Sequence, residues 1–183
     1  MTTTDITTTT VTVPADAVRA ALLFSSRTMN RYALETVAVW PWRIVATDAR
    51  ALIEIRFGNR PAAPEPKPAY LVPTSAIKGL KVSTRTVRFG AGTLDVENGT
   101  GIETRTFEPT DPQMFPDVDT VLEGLDKECE PALLDPAYLT AVGKAAGILC
   151  GKDKARVRVR TYAASAATFR AESGDVSMLA IVM

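Results

Sequence analysis

With 183 residues the chain can bury a substantial core as one large domain or a domain and a half, and its 46% hydrophobic and 23% charged residues are ordinary for a folded soluble protein. Lys plus Arg and Asp plus Glu balance at 21 each, which argues against a protein that clings to nucleic acid by neutralising many phosphates but leaves room for a local positive face. Without histidine, and with Cys129 and Cys150 as the only cysteines, a metal centre or a nucleophile-base dyad has almost no material, so neither metal nor cofactor is expected.

The chain begins MTTTDITTTTVT, which lacks the basic start and apolar run of a secretory signal, and residues 1–9 read as a frayed tail. No stretch reaches the roughly 18 apolar residues that a membrane span needs, so a cytoplasmic location with reduced cysteines is expected. A first strand is expected over Thr10 to Val13. Pro14 then opens a helix that runs to about Ser26, with Asp16 in its first turn and Val18, Ala21, Leu22 and Ser25 at helical spacing. Strands follow over Tyr32 to Trp40, Arg43 to Thr47 and Ala51 to Phe57. The last two form a hairpin, because the apolar run Ile44-Val45-Ala46 and the β-branched run Leu52 to Phe57 flank the polar turn Thr47-Asp48-Ala49-Arg50. Asp48 can accept hydrogen bonds from backbone groups two residues on, which permits a tight reversal without glycine.

Residues 58–68, GNRPAAPEPKP, carry four prolines and read as a stiff connector. The same order of elements then restarts. A strand over Ala69 to Val72 leads through Pro73 and Thr74 into a short helix ending at Lys81, followed by strands over Thr86 to Phe89, Thr93 to Glu97 and Ile102 to Phe107. Gly90-Ala91-Gly92 and Asn98-Gly99-Thr100-Gly101 supply the hairpin turns. After a proline-broken connector, residues 109–131, the order recurs. Leu133-Leu134 is a brief strand, Pro136 opens a helix to about Cys150, and strands cover Ala155 to Thr161, Ala167 to Glu172 and Val176 to Val182. Val157, Val159 and Thr161 alternate with Arg156, Arg158 and Arg160, giving one strand a strongly basic face. A strand-helix-three-strand unit cannot cover both sides of its sheet, so repeated units are expected to pack helix beside helix and to continue one another's sheets. The expected fold class is α+β, with antiparallel sheets outside and helices on one face. Residues 10–57 and 69–108 are expected to form one two-unit domain and residues 132–183 a third, unpaired half domain.

Several segments resemble, in order, the bacterial DNA polymerase III beta subunits, the sliding clamps. Val45-Ala46-Thr47-Asp48-Ala49-Arg50-Ala51-Leu52 is similar to the family's VATDGHRL hairpin. Arg31-Tyr32-Ala33-Leu34 matches an Arg-Tyr-x-Leu strand start. Leu71-Val72-Pro73 with Ala76 to Leu80 looks like the family's strand, proline and helix, and Phe115-Pro116-Asp117 with Val121-Leu122 is similar to its FPDYxxVL linker. The chain departs from the family in having three units where a clamp protomer has six, in Ala49-Arg50-Ala51 replacing Gly-His-Arg, and in its shorter final segment.

The resemblance implies a processivity-factor-like scaffold for replication or repair, without catalysis. It implies an apolar cleft for short peptides of polymerases or repair factors, which by matched position would be walled by Leu34, Thr47, Ala49, Arg50, Leu52, Pro116, Val121, Leu179, Ala180, Ile181, Val182 and Met183. It further implies duplex DNA, bound without sequence preference, opposite Arg19, Lys78, Lys81 and Lys144 on the helix layer. A homo-oligomer formed through the unpaired third unit is expected. An alternative of another class is a clamp-like regulator or decoy that binds clamps or their partners and encircles nothing. The aspartates are scattered over turns, and the glycine-rich turns join strand to strand, so the residues themselves give no acid-base pair and no phosphate loop.

Overall fold

The computed structural model describes residues 10–25, 32–59, 61–63, 67–123, 134–151, 155–162 and 166–182. The first unit comprises β1 (Val11–Pro14), α1 (Ala15–Ala21), β2 (Thr36–Val39), β3 (Arg43–Thr47) and β4 (Ala51–Phe57). The second comprises β5 (Tyr70–Pro73), α2 (Thr74–Ile77), β6 (Thr86–Gly90), β7 (Thr93–Asn98) and β8 (Gly101–Thr106). A short helix in the connector, α3 (Val118–Glu123), precedes the third unit of α4 (Pro136–Cys150), β9 (Arg158–Tyr162), β10 (Ala166–Ser173) and β11 (Val176–Val182). The fold is α+β, and the paired strands are antiparallel.

The units exchange strands. β1 leaves the first unit to complete the order β1-β6-β7-β8, and β5 leaves the second to begin the order β5-β2-β3-β4-β11-β10-β9. The seven-stranded sheet therefore joins all three units, and the joint between the first and third is the β4–β11 ladder, from Phe57 opposite Val176 to Ala51 opposite Val182. Alternation sorts this sheet into two faces. Val37, Val39, Ile44, Ala46, Ile53, Ile55, Phe169, Met178, Ala180 and Val182 face α1 and α4 in the main core, which also holds Val87, Phe89, Leu94 and Val96 of the smaller sheet. On the opposite, outer face, Ala38, Trp40, Trp42, Val45, Leu52, Leu71 and Ile181 pack beneath Phe115 and Val118 of the connector.

Several expectations change. The first helix, expected to run to about Ser26, ends at Ala21 and passes into a 3₁₀ turn over Leu22–Phe24. The second helix ends at Ile77, not Lys81, because Lys78 is extended and Gly79 turns to a φ of 77°. The strand expected from Ala155 starts at Arg158, and the strand expected from Tyr32 starts at Thr36 after a 3₁₀ turn over Tyr32–Glu35. The third unit, expected to stand unpaired, packs on the first through the β4–β11 ladder and through α4 against α1. Its far strand, β9, closes the order of the sheet with no further neighbour among the described strands. Leu134 is not in a strand; Leu133 and the tail at 1–9 lie outside the described residues.

Candidate functional site: the seam between the first and third units

The seam starts at the β3–β4 turn. The Asp48 N–H donates to the Ala51 carbonyl at 3.2 Å, and Asp48 Oδ1 accepts from the N–H groups of Arg50 at 2.9 Å and Ala51 at 2.8 Å. Thr47 Oγ1 accepts from Ala49 N at 3.1 Å and donates to the Ala51 carbonyl at 2.8 Å. These bonds hold Ala49 at a φ of 74°, the left-handed region that an alanine adopts only at a cost. The turn is also tied to the third unit, since Tyr138 on α4 donates its hydroxyl to Asp48 Oδ2 at 2.8 Å. Burial, reinforced by the bond to Asp48, pushes the Tyr138 phenol up to about 12.

Beside the turn, Leu52 lies opposite Ile181 and Ala51 opposite Val182, so the hairpin and the final strand run together. Phe115 covers them and meets Trp40 edge-on, with ring centroids 6.3 Å apart at 76°. Asp117 starts α3 by accepting from Thr120 N at 3.3 Å and Thr120 Oγ1 at 2.9 Å, bonds that hold its carboxyl below the usual carboxylate range.

A charged cluster locks this connector down. Arg43, 1% exposed, donates to Glu54 Oε1 at 3.0 Å and, as a fork, to Asp119 Oδ1 at 2.8 Å and Oδ2 at 3.1 Å. Its guanidinium lies 4.3 Å from the Trp40 ring centroid and 4.6 Å from that of Trp42. Glu54, equally buried, also meets Arg56 at 2.8 Å. Burial alone disfavours the Arg43 cation, yet the bonds to Asp119 and Glu54 outweigh it, and its pKa is raised above the ordinary arginine value.

The residues expected in a peptide cleft therefore fall into two sets. Leu34, Thr47, Leu52, Ala180, Ile181 and Val182 are buried. Ala180 and Val182 belong to the main core, whereas Leu52 and Ile181 lie beneath the connector. Ala49, Arg50, Pro116 and Val121 are exposed and Leu179 is half-buried, so of the expected residues these five are the accessible ones. Met183 and Arg31 lie outside the described residues. Of the residues expected to face DNA, Lys78, Lys81 and Lys144 are exposed, whereas Arg19 is engaged by the Lys81 carbonyl and Asp16 Oδ1, both at 2.5 Å. Sequence reasoning missed the Arg43–Glu54–Asp119 cluster. Its signal was Glu54 itself, a lone acid inside the apolar run of β4, where a buried charge requires a partner.

Strand exchange, a sheet continued across units and the helices α1 and α4 side by side on one face match known structures. The DNA polymerase III beta subunit of Thermotoga maritima superposes with a TM-score of 0.59 at 13% identity, covering 94% of this chain and 64% of that one. The sliding clamp of Bartonella birtlesii bound to griselimycin gives 0.57 at 14%, and the DNA polymerase sliding clamp of Caulobacter crescentus 0.53 at 15%; both cover 100% of this chain and 67% of theirs. The chain has the sliding-clamp fold. It spans 64% to 67% of the length of these clamps. No protein-family model matches the sequence, and no curated protein does. In this clamp fold the seam lies where three segments distant in sequence converge, the turn at Asp48, the connector at Phe115 and the strand ending at Val182. Among the described residues no helix is long and apolar enough to cross a membrane.

Proposed function

We propose that the chain is a clamp-like scaffold for DNA replication or repair, which docks short peptides of polymerases or repair factors on the seam and encircles duplex DNA as an oligomer. The observation that supports it most is the convergence of the Asp48 turn, the Phe115–Val118 connector and the final strand in one layer. The rim of Ala49, Arg50, Pro116, Val121 and Leu179 carries more apolar than charged side chains, which suits an extended peptide with apolar anchors. Catalysis has no place in this reading.

A peptide with two leucines and a phenylalanine, followed by a neutral tail, tests the docking site by fluorescence anisotropy. Val121 is 36% exposed, so Val121→Glu should leave thermal melting unchanged while weakening binding about tenfold, the effect of a charge placed at an apolar contact. Unchanged binding would remove the seam from consideration. Encirclement is tested by retention on nicked circular DNA and release once the circle is cut.

A second reading, a regulator or decoy that encircles nothing, is favoured by one observation. Arg19 is held by the Lys81 carbonyl and Asp16, which leaves the helix layer with few basic side chains to meet a duplex. A regulator would co-purify with a clamp or a clamp-binding protein and pass circular DNA without retention.

A further inference from the structure

Among the described residues, Phe115 and Val118 lie over β2, β3, β4 and the Ile181 end of β11, while the outer face toward Ser177 on β11, Arg170 on β10 and Arg158 on β9 has a different character. Pairing fixes that face. Arg56 stands opposite Ser177 and Ser177 opposite Glu172; in the next row Glu54 stands opposite Leu179, Leu179 opposite Arg170, and Arg170 opposite Arg158. Arg158 and Arg170 are thus direct cross-strand partners of like charge, and both are exposed. Like charges directly opposite on a sheet oppose folding, so nothing in the stability of the fold calls for this pair.

On that face the surface dips into a depression of about 170 Å³ lined chiefly by Glu54, Arg56, Arg170, Glu172, Ser177 and Leu179. Glu54 accepts from Arg43 through Oε1, and its Oε2 lies 2.8 Å from Arg56 as an ion pair. Glu172 is the second acid in the lining, on the same face of β10 as Arg170, and Arg158 lies opposite Arg170 on β9. Leu179 belongs to both the depression and the rim of the seam, so the two surfaces are continuous.

We infer that this arginine face receives the acidic flank of the peptide whose apolar part occupies the seam, an inference that rests on the docking reading above. Adjacent strands are about 4.8 Å apart, so β9 lies about 10 Å from β11, a span that about three residues of extended chain cover. Glutamate or aspartate about three positions beyond the last apolar anchor would reach Arg158 and Arg170, and a carboxylate matches the two-pronged guanidinium. A nucleic acid fits less well, because the chain has no net positive charge to recruit a polyanion.

The experiment uses two labelled peptides with the same apolar part, one ending in four glutamines and the other in four glutamates, with the full chain and its Arg158→Gln, Arg170→Gln double variant. The acidic peptide should bind about fivefold tighter at low salt, the sum of two or three exposed ion pairs, and lose that advantage in about 0.5 M salt. The double variant should lose the advantage too, hold the neutral peptide as before, and melt no lower than the parent, because a repulsive pair has been removed. Equal affinity for both peptides, or an advantage that survives the double substitution, overturns the inference and leaves the seam standing. Failure of both peptides to bind overturns the seam and this inference together. If the substitutions instead release a duplex oligonucleotide and leave the acidic peptide unaffected, the face is a nucleic-acid surface and the inference is wrong.

Discussion

Arg43 sets the energetics of the seam one side chain at a time. An arginine and a glutamate that are each 1% exposed have lost their water, and only their mutual geometry with Asp119 and Arg56 makes that tolerable. Removing one member is therefore much worse than its pairwise attraction suggests. Glu54→Ala should lower unfolding stability in urea by about 3–5 kcal/mol, because Arg43 stays buried with the part-exposed Asp119 as its remaining acid. Asp119, with its carboxylate 36% exposed, has water to fall back on, so Asp119→Asn should cost only about 1–2 kcal/mol. Equal losses for the two changes would contradict this ordering. Ala49 is the opposite case, a residue that the fold holds against its preference. Relieving the left-handed φ of 74° with Ala49→Gly recovers about 1–2 kcal/mol, less about 0.5–1 kcal/mol for the freer unfolded chain, so the variant should melt slightly higher than the parent.

Tyr138 couples two elements, α4 and the β3–β4 hairpin, and makes their joint sensitive to alkali. Its folded pKa is raised to about 12 from an ordinary value near 10, so the folded state holds the phenolic proton more tightly than the unfolded chain does. The stability it contributes is complete below about pH 10 and is lost as pH rises from there to about 12. Tyr138→Phe should remove that portion of the alkaline loss and lower stability at neutral pH by about 1 kcal/mol, measured by denaturation at pH 7 and pH 11. Elements of this kind were the most legible part of the sequence. α4 runs from Pro136 to Cys150 as expected, since Asp135 caps it by accepting from Ala137 N at 2.8 Å and Gly151 ends it at a φ of 81°. β3, β4 and β11 match their expected spans for the same reason, strong local pattern bounded by turn residues. α2 was overestimated because its end depends on Arg105, distant in sequence, which donates to the carbonyls of Ala76 at 3.1 Å and Lys78 at 2.9 Å and so takes up acceptors that a longer helix would have used.

At the scale of the whole molecule, the sequence pattern announces three similar units but not which unit each strand pairs with. β1 reads as part of the first unit, yet it pairs with β6, and nothing local to Val11–Pro14 distinguishes the two outcomes. The same holds for β11, whose alternation fixes its faces but not its place beside β4. The consequence for assembly is specific. The third unit satisfies one sheet edge inside the chain, so an oligomer built through it must use the other edge, β9. That strand is suited to it, because Val159 is 52% exposed and β9 ends the order of the described strands. β8, which ends the smaller sheet, turns Glu103 and Arg105 toward its inner side, where they pair at 2.7 Å, a feature that blunts an edge. If β9 carries the contact, Val159→Lys should shift the light-scattering mass from oligomer to single chain at micromolar concentration while the melting temperature of the chain itself holds. A matching charge on β8, Ile102→Lys, separates the two edges. If the two edges pair head to tail, both substitutions dissociate the assembly, whereas a symmetric β9–β9 contact responds to Val159→Lys alone. A parent chain that scatters as a monomer at tens of micromolar rules out both arrangements and leaves the non-encircling regulator as the surviving reading.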